Sequence, residues 1–460
     1  MTLDLWRSVR DGWKRSDEMI ARAFRKSPDL TDGQRDQIVT AFHSMVVSHR
    51  KIDFALDSMN LPPDTVRHRE TLAYTAYLLL KRWLKPEAAR KQFPEIPWFE
   101  PETVEAAIAA EPDPARRLGL SHGLPDFLAA RLIAIYGEKA EALAEALSQR
   151  GPQTLRANSL KTTREKLLEI LRKDEVAATP TANAPTGLTL ARRINAFRRP
   201  EFSSGLFEVQ DESSQLAAEA VAPPPGGLVV DFCAGAGGKT LAIGALMKNK
   251  GRLVALETQA FKLTELRKRI ARAGLSNAQA LAITDTTWPP EVEALKGKAH
   301  RVLVDVPCSG TGAFRRNPEG RWRLQADDLT RLPALQLSIA RRAMALVAPG
   351  GRLIYATCSI MNEENEDVIE RLLAGGKEQA GAWELVLMKE ILGGKRAKPI
   401  CDAGGKYLKL LPSVHGCDGF FAAVLRRKDL PAAAVVETAT PTTPEITPPA
   451  TPDAASDSAD

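Results

Sequence analysis

Two cysteines stand directly after apolar runs, at positions where a thiol could act as a nucleophile. The stretch "RVLVDVPCSGTGAFRRNPEGRW" carries Asp305, Pro307 and Cys308 at the end of one predicted strand, and "RLIYATCS" carries Cys358 at the end of another. Because carboxyl ends of parallel strands share one edge of a sheet, both thiols should face the same ligand crevice. An isolated free cysteine is more often a small core residue. Two of them at strand ends, flanked by Pro, Gly and Asp, favour nucleophilic chemistry.

One reaction that needs such a thiol is methylation at C5 of cytosine. That carbon is not nucleophilic enough to take a methyl group directly, and addition of a thiolate to C6 pushes electron density toward it. A base must then remove the C5 proton so that the thiol can leave. Two cysteines, an acid and a site for S-adenosylmethionine (SAM) would supply this reaction. Spacing alone leaves open which cysteine attacks.

The glycine-rich segment "DFCAGAGGKT", residues 231–240, predicts the cofactor loop. It misses the P-loop pattern at Cys233 and the dinucleotide pattern at Thr240. Its three glycines allow a ligand to approach the backbone closely. Glu257, at the end of the next strand, is placed to accept hydrogen bonds from ribose hydroxyls, and Asp285, after the third strand, to meet an adenine amino group. These features describe SAM as well as NAD, and the cysteine chemistry favours SAM.

The elements that must position these residues alternate between strand and helix from about 206 to 428. This alternation predicts an α/β domain with an open parallel sheet covered by helices on both faces. Residues 1–145 show apolar spacing typical of helices and predict an all-α domain. Residues 150–205 predict a small α+β unit. Residues 429–460 are rich in Pro, Thr and Ala and predict a disordered acidic tail.

Charge and cysteine content limit the class of protein. The formal net charge is +6, and the tail has six acids and no Lys or Arg, so the rest of the chain is more basic still. A basic folded body is compatible with a polyanion partner. Five cysteines without a C-x-x-C pair indicate neither a disulfide framework nor a zinc site. No signal peptide or membrane span is evident, so we expect a cytoplasmic protein, and a monomer, without a bound metal.

Six segments occur in the order found in one known family: "RANSLKTTREKLLEIL", "VQDESSQLA", "DFCAGAGGKT", "DVPCSGTGAFRRNPEGRW", "PGGRLIYATCSIMNEENEDVIERLL" and "DGFFAAVLRR". Over roughly 150–427 the chain resembles the RNA cytosine-C5 methyltransferases of the Sun type, and among them the enzymes of bacterial small-subunit rRNA. The helical N-terminus is similar to their antiterminator-like RNA-binding domain. The resemblance implies a Rossmann-like SAM-dependent domain with a mostly parallel seven-stranded sheet, and formation of 5-methylcytosine in 16S rRNA or, alternatively, in tRNA.

The resemblance also implies roles for single residues. Cys358 would be the nucleophile on C6, and Cys308 would assist proton removal and product release. Asp305 would contact the cytosine at its N3 or amino edge, and Lys239 would help to position it. The cofactor site would comprise Cys233, Ala234, Gly235, Ala236, Gly237, Gly238, Lys239, Glu257, Asp285 and Asp305. For RNA binding we expect the small unit and the arginine-rich loop after Cys308 to contribute Arg156, Asn158, Arg315, Arg316, Arg321 and Trp322.

The chain departs from the family pattern in the cofactor loop. Family members commonly have Pro at the position of Ala236 and Asp at that of Glu257, so we expect a looser loop and weaker SAM binding. Two other functions compete with the methyltransferase. A P-loop NTPase is disfavoured by Cys233, and a non-catalytic RNA-binding protein of the same fold is disfavoured by retention of both cysteines, Lys239 and Asp305. A methyltransferase of exocyclic amines would need a D/N-P-P-[YF] motif, which "DVPC" does not supply.

Overall fold

The N-terminal region consists of helices packed around an aromatic and aliphatic core. The computed structural model of the chain describes residues 1–59, 61, 69–375 and 381–429. The core of this region contains Trp6, Phe42, Tyr77 and Trp98. Its longest helix begins with a reciprocal hydrogen-bonded cap between Thr31 and Gln34. The helices are α1 (Thr2–Arg10), α2 (Ser16–Arg25), α3 (Asp32–Asp57), α4 (Arg69–Leu80), α5 (Pro86–Gln92), α6 (Pro101–Ala109), α7 (Pro114–His122), α8 (Asp126–Tyr136) and α9 (Ala140–Ser148). The predicted all-α character of this region is confirmed.

A small antiparallel sheet with one main helix follows. The helix begins at Thr163, whose side chain accepts a hydrogen bond from the Lys166 N–H. It buries Leu167 and Leu171 against Leu155 and Phe207 of the sheet. The elements are β1 (Thr154–Ala157), α10 (Arg164–Lys173), β2 (Ala178–Pro180), β3 (Gly187–Leu190), α11 (Pro200–Ser203) and β4 (Phe207–Val209). The sheet order is β2-β3-β1-β4. This confirms the α+β character predicted for the unit.

The remaining elements build the large sheet and its helices. They are α12 (Glu212–Glu219), β5 (Leu228–Asp231), α13 (Gly238–Leu246), β6 (Arg252–Glu257), α14 (Ala260–Ala273), β7 (Ala278–Ala282), α15 (Pro290–Glu293), β8 (Ala299–Asp305), α16 (Gly320–Arg323), α17 (Asp328–Met344), β9 (Val347–Thr357), α18 (Glu366–Ala374), β10 (Trp383–Val386), α19 (Met388–Leu392), α20 (Gly394–Ala397), β11 (Leu408–Leu410), α21 (Pro412–His415) and β12 (Phe420–Arg427). Apolar clusters cover both faces of the sheet.

Five parallel strands, in the order β7-β6-β5-β8-β9, form the body of this sheet. Antiparallel β12 and β10 extend it beyond β9, and β11 pairs with β12 as an eighth strand. The Rossmann-like α/β fold is therefore confirmed. Seven strands lie in one path as predicted, and the three-residue β11 was not expected. Helix α17 ends at Met344, and β9 begins three residues later at Val347.

The strand order explains where a ligand can bind. The chain leaves β5 toward β6 and β7 on one side of the sheet, and later returns to place β8 and β9 on the other side. The order reverses between β5 and β8, and in open α/β sheets the crevice at such a reversal lies at the carboxyl ends of the strands. Both the glycine-rich loop and Cys308 follow those two strands. Residues Met1–Lys428 form one compact unit, and the tail predicted over 429–460 lies almost entirely outside the described residues.

No single helix among the described residues is long and apolar enough to cross a membrane. One sharply bent pair, Pro114–His122 with Asp126–Ser148, meets the criteria of length and composition when the two helices are taken together. In the same described part of the chain, no cluster of His, Cys, Asp and Glu side chains has an arrangement that could hold a metal ion.

Candidate active site

The loop between β5 and α13 is held in one shape by glycine geometry. Gly237 has a φ of 88° and precedes α13. A Cβ atom on Gly237 would lie 2.1 Å from Cδ1 of Leu266 in α14, so glycine is required both by the backbone and by the space. Ala236, which stands where the family commonly has Pro, accepts a 2.7 Å hydrogen bond from Arg269 at its carbonyl oxygen. This bond restrains the loop at the position where we expected it to be loose.

Two acids beside this loop, Glu257 and Asp231, are held in position by hydrogen bonds from the loop and from the residues next to it. Glu257 is buried at the end of β6, and its carboxylate accepts hydrogen bonds from the Gly235 N–H at 2.9 Å, the Thr258 N–H at 2.9 Å and the Gln259 N–H at 3.0 Å. Asp231, at the end of β5, accepts a 2.7 Å bond from the Thr240 hydroxyl through Oδ2. Burial raises the pKa of Asp231 to about 6. Its Oδ1 is buried without a hydrogen-bond partner among the described residues.

The arrangement fits SAM on three observations. Asp231 Oδ1, which has no hydrogen-bond partner among the described residues, can accept a hydrogen bond from the ammonium group of SAM. Each oxygen of a carboxylate can accept two bonds. Among the described residues Glu257 Oε2 accepts one hydrogen bond, from Gly235, and Lys262 Nζ lies 3.9 Å away, so this oxygen retains capacity for a ribose hydroxyl. A Cβ atom on Gly235 would meet nothing within 4 Å, so the loop backbone is open to a ligand at that residue. The sequence analysis missed Asp231, although its place at the end of an apolar strand was the signal.

The other predicted cofactor residues differ in their surroundings. Burial raises the pKa of Cys233, so its thiol stays neutral and packs as an apolar group against the sheet core. Ala234 is buried beside α14. Asp285 is exposed in the loop after β7. That loop is fixed by Arg342, which donates to the carbonyl oxygens of Thr284 at 2.6 Å and Thr287 at 2.9 Å.

A half-buried ion pair connects the start of α13, directly after the cofactor loop, with the end of β8. Lys239 Nζ lies 2.6 Å from Asp305 Oδ2 and 4.9 Å from the centre of the Phe420 ring. Burial lowers the pKa of Lys239, but the Asp305 charge and hydrogen bond outweigh it and leave that pKa above its ordinary value. Lys239 therefore remains an ammonium group that fixes the Asp305 carboxylate at the crevice.

The two cysteines meet at the ends of neighbouring strands. β8 and β9 pair in parallel, with Asp305 opposite Ala356. Cys308 and Cys358 follow these strands, and their Sγ atoms lie 3.3 Å apart. The hydrogen bond with Cys358, together with burial and nearby negative charge, raises the pKa of Cys308 well above its ordinary value. Cys308 therefore retains its proton when a negative charge is present on Cys358.

A buried carboxylate that the sequence analysis did not identify holds both cysteine turns. Glu364 is fully buried, and it accepts a 2.8 Å hydrogen bond from the Ser309 N–H as well as bonds from the hydroxyls of Ser309 and Ser359. These two serines directly follow the two cysteines. Gln336 of α17 donates to the same carboxylate at 2.8 Å. An acid six residues after Cys358 was the available signal, but its partner Ser309 lies 55 residues away in sequence.

Several predicted RNA contacts prove to be interior contacts. Arg321 has no exposed surface, and its guanidinium donates to the carbonyl oxygens of His122, Gly123 and Leu147 in the helical region. The Trp322 indole N–H donates to the Val46 carbonyl at 2.8 Å. These findings correct the RNA-binding prediction for both residues in this conformation. The arginine-rich sequence after Cys308 serves the contact between the catalytic and helical regions.

The predicted contacts of the small unit are corrected in the same way. Arg156 is buried and donates to Gln210 at 2.6 Å. Asn158 is buried and donates to the carbonyl oxygens of Gly205 and Ala273, each at 2.8 Å. Asn158 fixes the small sheet against α14, Arg156 holds Gln210 directly after β4, and neither side chain is exposed to RNA.

Arg315 and Arg316 form a second group. Arg315 is mostly buried, and it donates to the carbonyl oxygens of Gly416 at 2.8 Å and Cys417 at 3.0 Å. Arg316 is half-buried and pairs with the carboxylates of Asp211 and Asp418. Neither side chain lies open on the surface, as the RNA-binding prediction required, but both line a small cavity described below.

Known proteins that are similar to this chain are methyltransferases, as the geometry of the site suggests. The family "16S rRNA methyltransferase RsmB/F" matches residues 218–426, and the "Methyltr_RsmF/B-like, ferredoxin-like domain" matches residues 124–196, which include α8 and α9. The chain is 33% identical over 317 residues to the probable ribosomal RNA small subunit methyltransferase B of Bacillus subtilis, covering 69% of each protein. It is 33% identical over 323 residues to the enzyme of that name from Pseudomonas syringae, covering 69% of this chain and 68% of that one.

Solved structures show the same architecture. The crystal structure of PH0851 superposes with a TM-score of 0.72 at 26% identity, covering 90% of this chain and 95% of that one. A methyltransferase homologue from Pyrococcus horikoshii gives a TM-score of 0.57 at 28% identity, covering 67% of this chain and 97% of the other. The chain therefore belongs to the RsmB/F family of 16S rRNA methyltransferases and is a SAM-dependent RNA methyltransferase.

Proposed function

We propose that this enzyme forms 5-methylcytosine in 16S rRNA through a covalent bond between Cys358 and C6 of the target cytosine. The observation that carries the proposal is the pair of thiols 3.3 Å apart at the crevice, beside the Lys239–Asp305 ion pair. The choice of 16S rRNA rests on the names of the family and of the relatives. A cytosine must leave its stack to enter such a crevice.

We assign the nucleophile to Cys358 because the T-C-S cysteine attacks C6 in the family that the chain resembles. Cys308 is the thiol that keeps its proton, because its hydrogen bond with Cys358 and its burial raise its pKa. A thiolate on Cys358 adds to C6, and the electron pair of the C5–C6 double bond becomes available at C5. SAM, when bound by the glycine-rich loop with Glu257 and Asp231, supplies the methyl group. Asp305, held by Lys239, is placed to bind the N3 or amino edge of the base.

Release requires that the C5 proton leaves and the bond between Cys358 and C6 breaks. Once Cys358 is bonded to carbon it carries no negative charge, so its contribution to the high pKa of Cys308 disappears. Cys308 can then release its proton to solvent water and accept the C5 proton in turn, so that one proton leaves the site for each methyl group transferred. The electrons of the C5–H bond restore the double bond, and Cys358 departs as a thiolate. Replacing Cys308 should therefore stop the reaction after the covalent bond has formed.

The test is to incubate the Cys308→Ser protein with SAM and total RNA and to examine it by denaturing electrophoresis. We expect a protein–RNA adduct that persists under denaturing conditions. The Cys358→Ala protein and the double variant are the matched controls and should form none. Sequencing the trapped RNA identifies the substrate, and recovery of tRNA would contradict the 16S assignment. An adduct in Cys358→Ala but not in Cys308→Ser would reverse the two roles.

A further inference from the structure

A small basic cavity lies where the helical region, the small unit and the catalytic region meet. Its volume is about 180 Å³. That space holds several waters, at ~30 Å³ each, but it is below the ~300 Å³ of the smallest usual sites for organic ligands. The size therefore suits a compact group such as a phosphate. The lining includes four arginines from separate parts of the chain: Arg150, Arg193, Arg315 and Arg316.

The arginines around this cavity are incompletely neutralised. Arg150 pairs with Asp36 at 2.6 Å, and Arg316 pairs with Asp211 and Asp418. Arg193 makes no ion pair with any described residue, and its guanidinium donates to the Gly151 carbonyl. Burial, followed by the positive charges of Arg150 and Arg316, lowers the pKa of Arg193 to about 10. An anion inside the cavity would relieve this repulsion.

A buried hydrogen-bond donor without a partner also favours an anion in this cavity. Arg315 Nε is buried and has no hydrogen-bond partner in the described part of the chain. Its nearest carboxylate oxygen, on Asp418, lies 3.9 Å away. Ser16 and Asn317 add polar side chains to the lining, and the exposed Asp17 is the acid among the lining residues. Buried donors without partners are costly, and a phosphate oxygen would supply the missing acceptor.

We propose that this cavity binds one phosphodiester group of the RNA substrate, with Arg193 and Arg315 as the principal ligands. The proposal rests on the proposed RNA substrate and adds a contact outside the catalytic crevice. Arg315 and Arg316 belong to the loop that begins after Cys308, so a phosphate held here fixes the RNA relative to that loop. The arginines thus retain a part in RNA binding through a recessed site.

The test compares Arg193→Ala with Arg192→Ala in the full-length protein. Arg192 is the exposed neighbour, so both variants remove one positive charge. Affinity for small-subunit rRNA is measured by filter binding at several salt concentrations. Arg193→Ala should weaken binding roughly 10-fold and reduce the slope of log K against log salt by about 0.7 to 1, the value of one phosphate contact. Arg192→Ala should leave the slope unchanged. Equal changes in both variants would overturn the proposal.

Two further measurements keep the result interpretable. Inorganic phosphate should raise the thermal midpoint of the wild type more than that of Arg193→Ala. If phosphate does so while the salt slopes for RNA agree, the cavity binds free phosphate and the RNA assignment is wrong. At saturating RNA, Arg193→Ala should still transfer methyl groups, which separates failure of this site from failure of the proposed reaction. If Arg193→Ala does not fold, the salt dependence of RNA binding is compared between Arg193→Lys, which keeps the positive charge, and Arg193→Gln, which removes it.

Discussion

Replacing Glu364 by Gln should loosen the two turns that carry Cys308 and Cys358 without leaving a cavity at position 364. The amide keeps the size of the carboxylate, and its oxygen can retain the bonds from the Ser309 N–H and from Gln336. Its NH2 group takes the place of the oxygen that accepts from the hydroxyls of Ser309 and Ser359, so both hydroxyls must turn and accept. All four hydrogen bonds then involve a neutral acceptor or donor in place of the carboxylate, and the two with the serine hydroxyls must also reverse their direction.

The expected size of this change follows from those two bonds. Hydrogen bonds to charged groups contribute about 1.5–3 kcal/mol and neutral ones about 0.5–1.5 kcal/mol, so the free energy of unfolding should fall by about 2 kcal/mol. The thermal midpoint should drop by a few degrees. Glu363→Gln is the control, because that neighbouring acid pairs with Arg131 instead of the serines. A thermal midpoint for Glu364→Gln equal to that of this control would refute the role assigned to the carboxylate.

The same substitution should change the titration of Cys308. The hydrogen bond with Cys358 is the largest cause of the raised pKa of Cys308, followed by burial, and the charge of Glu364 adds to them. In a Cys358→Ala background, adding Glu364→Gln should move the pH midpoint of Cys308 alkylation by iodoacetamide downward. A purely structural role would lower stability and leave this midpoint in place. An upward movement would contradict the electrostatic reasoning.

Three further substitutions test other parts of the structure. Gly237→Ala should weaken SAM binding, measured by calorimetry, more than Gly235→Ala does. Both glycines have a positive φ, but only at Gly237 would the added Cβ atom meet a side chain within 4 Å. Arg321→Ala should lower the thermal midpoint by several degrees, because it leaves buried carbonyl oxygens without a donor, at a cost of ~1–3 kcal/mol each. Arg323 is exposed, so Arg323→Ala is the control and should leave the thermal midpoint unchanged. Asp231→Asn should stabilise the protein at pH 8 but not below pH 3.8. The folded pKa of about 6 exceeds the ordinary 3.8, so the folded state binds the proton more tightly and loses ~3 kcal/mol as pH rises between these values. Equal melting of Asp231→Asn and wild type at pH 8 would contradict this.

The parts of the site that the sequence predicted are those fixed by local pattern. Short apolar runs marked β5 and β8, LVV in the first and VLV in the second. Strand ends on one sheet edge then placed the glycine-rich loop and both cysteines together. Asp305 followed from the same topology, whereas the role of Lys239 was predicted from the family resemblance. Their separation of 2.6 Å and the 3.3 Å between the thiols needed the structure, because neither loop has a length that determines its path.

The parts that the sequence did not predict depend on contacts between distant segments. Four arginines and a tryptophan after a cysteine have the same composition whether they meet RNA or another region of the protein. The acceptors of Arg321 lie in α7, in the turn after it and in α9, more than 170 residues earlier in the chain. Glu364 posed the same difficulty, because an acid in a short turn is usually solvated and only its burial identifies it.

These long-range contacts make the loop after Cys308 a physical connection between catalysis and the helical region. At one end Ser309 is held by Glu364, and at the other Arg321 is held by carbonyl oxygens of the helical region. Between them the Arg315 carbonyl lies 3.1 Å from His43 Nε2 of α3, and Phe314 is buried with apolar residues of α8 and α9. A displacement of the helices would therefore move the segment that carries Cys308. The helical region accordingly helps to set the geometry of the thiol pair, in addition to any surface it offers to RNA.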